Sequence, residues 1–409
     1  MQFLPQLNGR NTSFGEEAMT VEISVDVRPL LVALGDTVPD ALSTSQDPRL
    51  RALLGSAEVT FANLEIPLTT RGKPAEKIIV HRGDVRCAEG LKSMGVDVVT
   101  LANNHALDFG PEGLDDTISA LVRAGIDVVG AGSSLSRALD PVVVDSESGR
   151  VALFGFCSTL PSGFVAGDDH SGVAPIRVRS HISLDSALFD EQPGMAPFIH
   201  TRAVEEDVIA ATNAIARVRD EVDLVVVGLH WGIPEGLAPA SYGALAEYQR
   251  PLGHALIDAG ADLIVGHHPH VVQAVELYRH GAIAYSIGNF MFHNWAGVSG
   301  GHEATGSEPP SLEPQIPSRI PIAPYRNVLA SAAAFESVVV VVLRRATDEP
   351  IKLQFIPTVM VEGMPTIADR ERSRAILSRL LGGRPESSGA VTLTDSDGFW
   401  KGEVSIGRA

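Results

Sequence analysis

The segment TLANNHALDFGPEGL, from Thr100 to Leu114, places two amides, an imidazole and a carboxylate directly after an apolar run. Such groups are costly to bury unless they are paired or coordinate something. The preceding SMGVDVVTLA is rich in β-branched residues and predicts a buried strand, and residues 111–124 have the apolar spacing of a helix. The polar side chains therefore lie on a strand-to-helix connection, where α/β proteins build their sites, although an Asx-rich turn with a helix-capping Asp is the alternative. They are Asn103, Asn104, His105 and Asp108.

Five apolar, β-rich runs end in a side chain that can bind a metal or move a proton. One histidine at the end of a strand is ordinarily a satisfied core residue. Strand carboxyl ends converge on one crevice in open α/β sheets, so five such ends predict a metal or catalytic site. The candidates are Asp36, Glu65, Asn104, His105, His230, His267, His268 and His270.

Apolar runs alternate with amphipathic segments from Leu30 to about Tyr285, which is typical of an α/β fold with a helix-covered sheet. The segment SVVVVVLRRATDEPIKLQFIPTVMV predicts a β-hairpin that closes a second sheet. We divide the chain into a flexible lead-in (1–28), a core (29–295), a Gly/Ser/Pro-rich loop (296–330) and C-terminal strands and helix that complete the fold (331–409).

The composition disfavours several classes of function. The 409 residues are 44% hydrophobic, which is enough for a large core. A net charge of -18 with scattered basic residues disfavours binding to nucleic acid or to anionic membranes, and no apolar run is long enough to span a bilayer. Cys87 and Cys157 lack metal-ligand spacing and are predicted to be small buried hydrophobes. The N-terminus lacks the basic start and the apolar core of a signal peptide. Together, these features predict a cytoplasmic protein.

Six blocks follow one another between residues 31 and 292: LGD, ANLEIPLT, LANNHALDFGPEGLDDT, LHWGIPE, LIDAGADLIVGHHPHVVQAVELY and IAYSIGNFMF. In this order they resemble the CapA family of bacterial poly-γ-glutamate capsule proteins, a branch of the calcineurin-like metallophosphoesterases. The resemblance implies an α/β fold, a calcineurin-like αββα sandwich with two packed sheets flanked by helices. It also implies a divalent metal ion at the strand ends and no organic cofactor. The implied metal ligands are Asp36, Glu65, Asn104, His230, His268 and His270, and the implied acid/base pair is His105 with Asp108.

Three of these assignments have structural alternatives. In these alternatives, Asp36 caps a helix, Glu65 pairs with Arg71, and His267 packs beneath the metal histidines.

The sequence departs from the superfamily pattern at two blocks. The usual Asp-x-His is here Asp36 followed by Thr37 and Val38, and Gly-Asp-x-x-Asp is replaced by ANLE, which leaves one carboxylate at Glu65. A reduced, oxygen-rich ligand set suits one hard ion, Ca²⁺, Mg²⁺ or Mn²⁺, better than a tight Zn/Fe pair. Because a second metal is part of the phosphoryl clamp, we expect little phosphoesterase activity. Capsule-type members typically carry an N-terminal membrane anchor, and we expect none here.

The sequence has no G-x-S-x-G elbow that would supply a serine nucleophile. Imidazoles braced by carboxylates, beside a weakly held metal, favour abstraction of a proton next to a carbonyl. A second base would return the proton with inversion; His267 and His293 are its candidates, and Trp231 and Arg82 are expected to contact substrate. CapA-like proteins also occur as peptide epimerases in lasso-peptide clusters, so a peptide Cα epimerase is our leading prediction. A metal-dependent hydrolase of a phosphoester, amide or peptide remains an alternative, as does a poly-γ-glutamate biosynthesis or binding protein. The oligomeric state stays open.

Overall fold

The computed structural model describes residues 28–40, 47–77, 79–194, 197–234, 245–292, 332–344, 350–382, 391–396 and 398–407. The predicted lead-in (apart from Arg28), the predicted loop 296–330 and His293 lie outside these ranges. Two sheets face each other across a shared core, and helices pack on the outer face of each. The predicted α/β sandwich of two packed sheets flanked by helices is confirmed.

The first sheet has ten strands: β1 (Leu31–Val38), β2 (Val59–Leu64), β3 (Val98–Thr100), β4 (Asp127–Val129), β15 (Asn289–Phe292), β16 (Glu336–Leu343), β17 (Ile351–Val361), β18 (Met364–Ile367), β19 (Thr392–Ser396) and β20 (Phe399–Ile406). Their order is β19-β20-β17-β16-β1-β2-β3-β4, with β15 also pairing with β1 and β18 with β17. The pairs among β1 to β4 and β15 are parallel, whereas β16 to β20 pair antiparallel.

The second sheet has six strands: β6 (Val142–Ser146), β7 (Gly149–Cys157), β11 (Leu224–His230), β12 (Leu263–His267), β13 (Val275–Tyr278) and β14 (Gly281–Ala284). Their order is β13-β14-β12-β11-β7-β6, and the four inner strands are parallel. Two small ribbons stand apart, formed by β5 (Ala131–Gly132) with β8 (Gly172–Val173) and by β9 (Val178–Ser183) with β10 (Phe198–Ala203).

The described residues form the helices α1 (Pro48–Ser56), α2 (Cys87–Ser93), α3 (Gly110–Arg123), α4 (Leu135–Leu139), α5 (Ser186–Glu191), α6 (Glu205–Val218), α7 (Gln249–Asp258) and α8 (Arg370–Leu380), with 3₁₀ turns at Arg219–Glu221 and Ala332–Phe335. Helices α1 to α3 pack on the first sheet, and α4, α6 and α7 on the second. Alternation along the strands explains the layers. In β7, Leu153 faces the core between the sheets, whereas Phe154 packs under the helices.

The run AIAYSIGNF, which the sequence presents as one strand, is divided between the two sheets. Strand β14 belongs to the second sheet, and four residues later β15 pairs with β1 in the first. The register of β1 shifts at Asp36 against both β15 and β2. A Cβ on Gly35 would lie 2.1 Å from the carbonyl oxygen of Gly288, so the close approach of these chains requires glycine there. This crossing brings the carboxyl ends of strands from both sheets to one edge of the sandwich.

The predicted C-terminal hairpin corresponds to the antiparallel pair β16–β17, but it extends the sheet that contains β1 instead of closing a separate one. Helix α8 packs beside it and begins at Asp369, whose side chain accepts from the Arg372 backbone N–H. The proposed domain limits stay a prediction. Among the described residues, the helices are all too short or too polar to cross a membrane.

Candidate functional site

Five of the predicted metal ligands come together where strands of both sheets end. Their donor atoms form two overlapping groups, within each of which all ligand atoms lie within 4.8 Å of one another. Glu65 belongs to both groups and therefore lies between them. The groups are Asp36, Glu65 and His270, and Glu65, His230 and His268.

The environment of Glu65 gives the clearest indication of what the site binds. It is completely buried, and neither carboxylate oxygen has a hydrogen-bond partner among the described residues. Its Oε1 lies 3.4 Å from Nε2 of His230 and 4.0 Å from Nε2 of His270. Burial, together with the negative charge of Asp36, raises the pKa of Glu65 well above its ordinary value. A buried carboxylate without a partner is destabilising, and a divalent cation among these donors would satisfy it, so the residues fit a metal site.

The donor set consists of predicted ligands, two carboxylates and three imidazoles. The two groups around Glu65 offer two candidate positions for a cation. Three of the five donors are imidazoles, whereas Ca²⁺ and Mg²⁺ ordinarily take oxygen ligands. Imidazole donors are typical of transition-metal ions.

Asp36 is held by groups from two other segments. Its Oδ1 accepts from Nδ2 of Asn63 at 2.8 Å, and its Oδ2 accepts from the backbone N–H of His268 at 3.1 Å. Burial alone would raise the pKa of Asp36, but the hydrogen bond from His270 and the charge of His267 bring it below the ordinary value. The carboxylate is thus fixed in its ionised form, as a metal ligand requires.

The histidines after β12 are held in an uncommon backbone conformation. His268 has φ 93° and His270 has φ 59°, in the region that favours glycine. Such strain persists where the surrounding structure determines the conformation, and it is frequent at functional sites. The Nδ1 of His270 lies 2.9 Å from Oδ1 of Asn289, which orients the ring so that Nε2 is directed toward Glu65.

Asn104 and His105 follow β3 on the other side of the same edge. Asn104 Oδ1 lies 2.9 Å from Nε2 of His230, so the sixth predicted ligand also reaches the cluster. His105 Nδ1 lies 2.6 Å from Asp108 Oδ2, and His105 Nε2 has no hydrogen-bond partner within the described part of the chain. Burial, together with the charge of Lys77, holds the pKa of His105 well below its ordinary value, which favours the neutral ring. A neutral ring that donates from Nδ1 presents Nε2 as a proton acceptor.

The family model described as "Bacterial capsule synthesis protein PGA_cap" matches residues 33–294, well over half of the chain. The chain belongs to this family. The match confirms the resemblance to CapA proteins that the sequence blocks indicated.

Two curated relatives show how far this PGA_cap protein overlaps with known ones. It is 32% identical over 256 residues to the PGA biosynthesis protein CapA of Bacillus subtilis, covering 62% of this chain and 57% of that protein. It is 34% identical over 258 residues to a probable polyglutamine synthesis accessory protein of Mycobacterium tuberculosis, covering 62% and 60%. The chain thus spans somewhat more than half the length of these curated relatives. A solved structure of a putative 5'-nucleotidase from Staphylococcus aureus aligns with a TM-score of 0.39 and 11% identity, over 83% of this chain and 55% of that one.

The loop between β2 and α2 contributes two residues of the PGA_cap site that the sequence did not reveal. Lys77 Nζ donates to Asp108 Oδ1 at 2.5 Å and also to the carbonyl oxygen of Asn104. The ring centroid of His81 is 4.3 Å from that of His105, and its backbone N–H donates to Asp108 Oδ2 at 2.6 Å. Burial raises the pKa of Asp108 to about 6 against the opposing charge of Lys77. A lone Lys or His in an aperiodic polar loop gives no signal that would have found them.

Two predicted residues lie in the core beneath the site. Trp231 is fully buried; its indole N–H donates to the carbonyl oxygen of Tyr285 at 2.8 Å, and the two rings stack. A side chain so enclosed is part of the packing and has no surface for a substrate to contact. His267 is also fully buried, with Nε2 3.3 Å from the carbonyl oxygen of Leu34. This placement favours the packing alternative over a catalytic role.

The remaining predictions concern Arg82, His293 and two structural alternatives. Arg82 is exposed, with its guanidinium 4.5 Å from the ring centroid of Phe109. His293 lies outside the described residues. The alternative pairing of Glu65 is not formed, because Arg71 pairs with Asp116 at 2.5 Å. Helix α1 is capped by Asp47, so Asp36 does not serve as that cap.

Proposed function

We propose that this PGA_cap protein is a metal-dependent acid–base hydrolase of an amide bond in a peptide. One observation carries the proposal: the fully buried carboxylate of Glu65, which accepts no hydrogen bond among the described residues, lies among three imidazoles and Asp36. Within the same edge, the His105–Asp108 pair supplies a proton-transfer group.

Each group of residues in the site would have its own role in hydrolysis. A divalent cation held by Asp36, Glu65, Asn104 and the three histidines would polarise a carbonyl oxygen and promote attack by water. His105 accepts or returns a proton at Nε2, while Asp108 holds the ring through Nδ1. Lys77 keeps Asp108 in place from the opposite oxygen. These roles need neither a serine nor a cysteine nucleophile.

The charge of the chain supports a peptide as substrate. The relatives named for capsule or polyglutamine synthesis suggest a glutamate polymer or a related peptide. A long polyglutamate would be repelled by a protein whose net charge is -18, whereas a short or weakly charged peptide would not. The same acidity disfavours nucleic acid and anionic membranes as partners. A cytoplasmic location remains part of this proposal.

Epimerisation at Cα is the second candidate, because the free Nε2 of His105 is also suited to removing a Cα proton. Inversion requires a second base across the Cα from the first. The His81 ring is in contact with that of His105 at 4.3 Å, too close for a Cα and its substituents to pass between them. The other candidate, His293, lies outside the described residues. Hydrolysis needs one such group and is therefore our first choice.

One experiment separates the two reactions. The Mn²⁺-loaded protein is incubated with short peptides, glutamyl peptides included, in D₂O and separately in ¹⁸O water, and the products are measured by mass spectrometry. We expect cleavage with one ¹⁸O in the new carboxylate, and its loss in His105→Gln. Deuterium at Cα in an uncleaved peptide would establish epimerisation instead. His170→Gln, an exposed histidine paired with Asp169, is the matched control and should keep full activity.

A further inference from the structure

A chain of buried amides runs from the metal side of the site to the proton-transfer side. Asn63 Nδ2 donates to Asp36 Oδ1 at 2.8 Å. Asn103 Nδ2 donates to Asn63 Oδ1 at 3.0 Å, and Asn103 Oδ1 accepts from the backbone N–H of His105 at 3.0 Å. Both asparagines are completely buried. Three consecutive hydrogen bonds therefore connect β1, β2 and the segment after β3.

The orientation of each amide in this chain is determined by its neighbours. The His105 backbone N–H can only donate, so Asn103 must present its oxygen there and its NH₂ group to Asn63. That NH₂ group also donates to the carbonyl oxygen of Leu64 at 2.8 Å, which fixes the same orientation independently. Asn63 must then present its oxygen to Asn103 and its NH₂ group to the carboxylate of Asp36.

Two consequences follow for the roles of these asparagines. The oxygen of Asn63 accepts from Asn103 and its NH₂ group donates to Asp36, whereas Glu65 of the same ANLE block lies in both groups of candidate ligands. The hydrogen bonds of Asn103 reach Asn63, Leu64 and His105, and none of them reaches a candidate metal ligand. Asn103 can therefore act on metal binding through Asn63, through the Leu64 carbonyl that precedes Glu65, or through the backbone of residues 104 and 105.

We propose that Asn63 and Asn103 are positioning residues that couple the metal ligand Asp36 to the position of His105. The inference rests on the metal site of the proposed function and goes beyond it, because it states that the two halves of the site are not independent. Removing Asn63 takes away the hydrogen bond to Asp36 Oδ1, removing Asn103 takes away the acceptor of the His105 backbone N–H, and either change breaks the link between the two amides.

Binding of Mn²⁺ measured by calorimetry tests this coupling without any activity assay. We expect Asn103→Leu to weaken Mn²⁺ binding about tenfold or more, although it replaces no ligand, and Asn63→Leu to do the same. The loss in the double variant should be smaller than the product of the two single losses, because the two amides share the hydrogen bond between them. Thr60→Val is the matched control, since Thr60 is equally buried in β2 and its hydroxyl has no partner among the described residues.

The outcomes separate the coupling from the metal site itself. Wild-type protein that binds no Mn²⁺ would contradict the proposed function and this inference together. Wild-type binding with unchanged affinity in Asn103→Leu, or losses that multiply in the double variant, would overturn the coupling alone. A merely structural asparagine would lower the melting temperature and leave Mn²⁺ affinity as it is. If Asn103→Leu does not fold, the isosteric Asn103→Asp serves, because it turns an oxygen toward the oxygens of Asn63 and Leu64 and should weaken binding likewise.

Discussion

Replacing Glu65 by Gln should raise the stability of the metal-free protein and remove its response to metal. The carboxylate is buried and its oxygens accept no hydrogen bond among the described residues. An unsatisfied neutral polar group costs about 1–3 kcal/mol and a charged one more, so Gln, which removes the charge, should recover about 1–3 kcal/mol. An unfolding entropy of about 2.1 cal/mol/K per residue gives ~0.9 kcal/mol/K for the 409-residue chain, so the gain corresponds to a melting temperature ~1–3 °C higher.

Metal should stabilise the wild type but not the variant. At Mn²⁺ about 100 times above its Kd, the wild type should gain ~2.7 kcal/mol, or ~3 °C, whereas Glu65→Gln should gain almost nothing. Differential scanning fluorimetry with and without Mn²⁺ measures both effects. Glu58→Gln is the matched control at the other end of β2: its carboxylate is satisfied by Ser148, so the metal response should persist and no metal-free gain should appear. A variant Glu65→Gln that melts lower without metal, or that keeps the wild-type metal shift, would refute this reasoning.

Three further outcomes are expected. His105→Ala should lower turnover by about 10²–10⁴-fold with metal content intact, whereas His268→Ala should lower both; a His105 variant with near-wild-type rates would remove it from the mechanism. Turnover of p-nitrophenyl phosphate should stay below a kcat/KM of about 10⁴ M⁻¹s⁻¹, and a higher value would restore the phosphoesterase alternative. Arg219→Met should cost about 3–5 kcal/mol in urea unfolding, because it leaves the buried Asp262 carboxylate without its 2.6 Å partner. The exposed Arg86→Met should change little, and equal effects would contradict this difference.

The fold and the strand-end residues could be predicted because they depend on local patterns. Apolar runs that end in Asp36, Glu65 or His230 are strands, and parallel strands place their ends at one edge. The division of AIAYSIGNF between two sheets could not be predicted from the sequence, because periodicity does not distinguish one continuous strand from two short ones.

The rest of the site depends on contacts between segments far apart in the chain. Lys77 and His81 come from an aperiodic loop that meets Asp108 only in three dimensions. Trp231 follows a predicted ligand directly, yet its indole faces Tyr285 in the core. The sequence can therefore predict that a residue lies near a site, but the direction of its side chain depends on the local backbone conformation.

The most direct test of a metal centre at Glu65 is diffraction from crystals soaked in Mn²⁺, recorded at an energy where manganese scatters anomalously. We expect anomalous density about 2.0–2.5 Å from the Glu65 oxygens, between the groups that contain His270 and His230. Crystals that show no manganese beside Glu65, with the carboxylate still unpartnered, would contradict the metal-dependent mechanism.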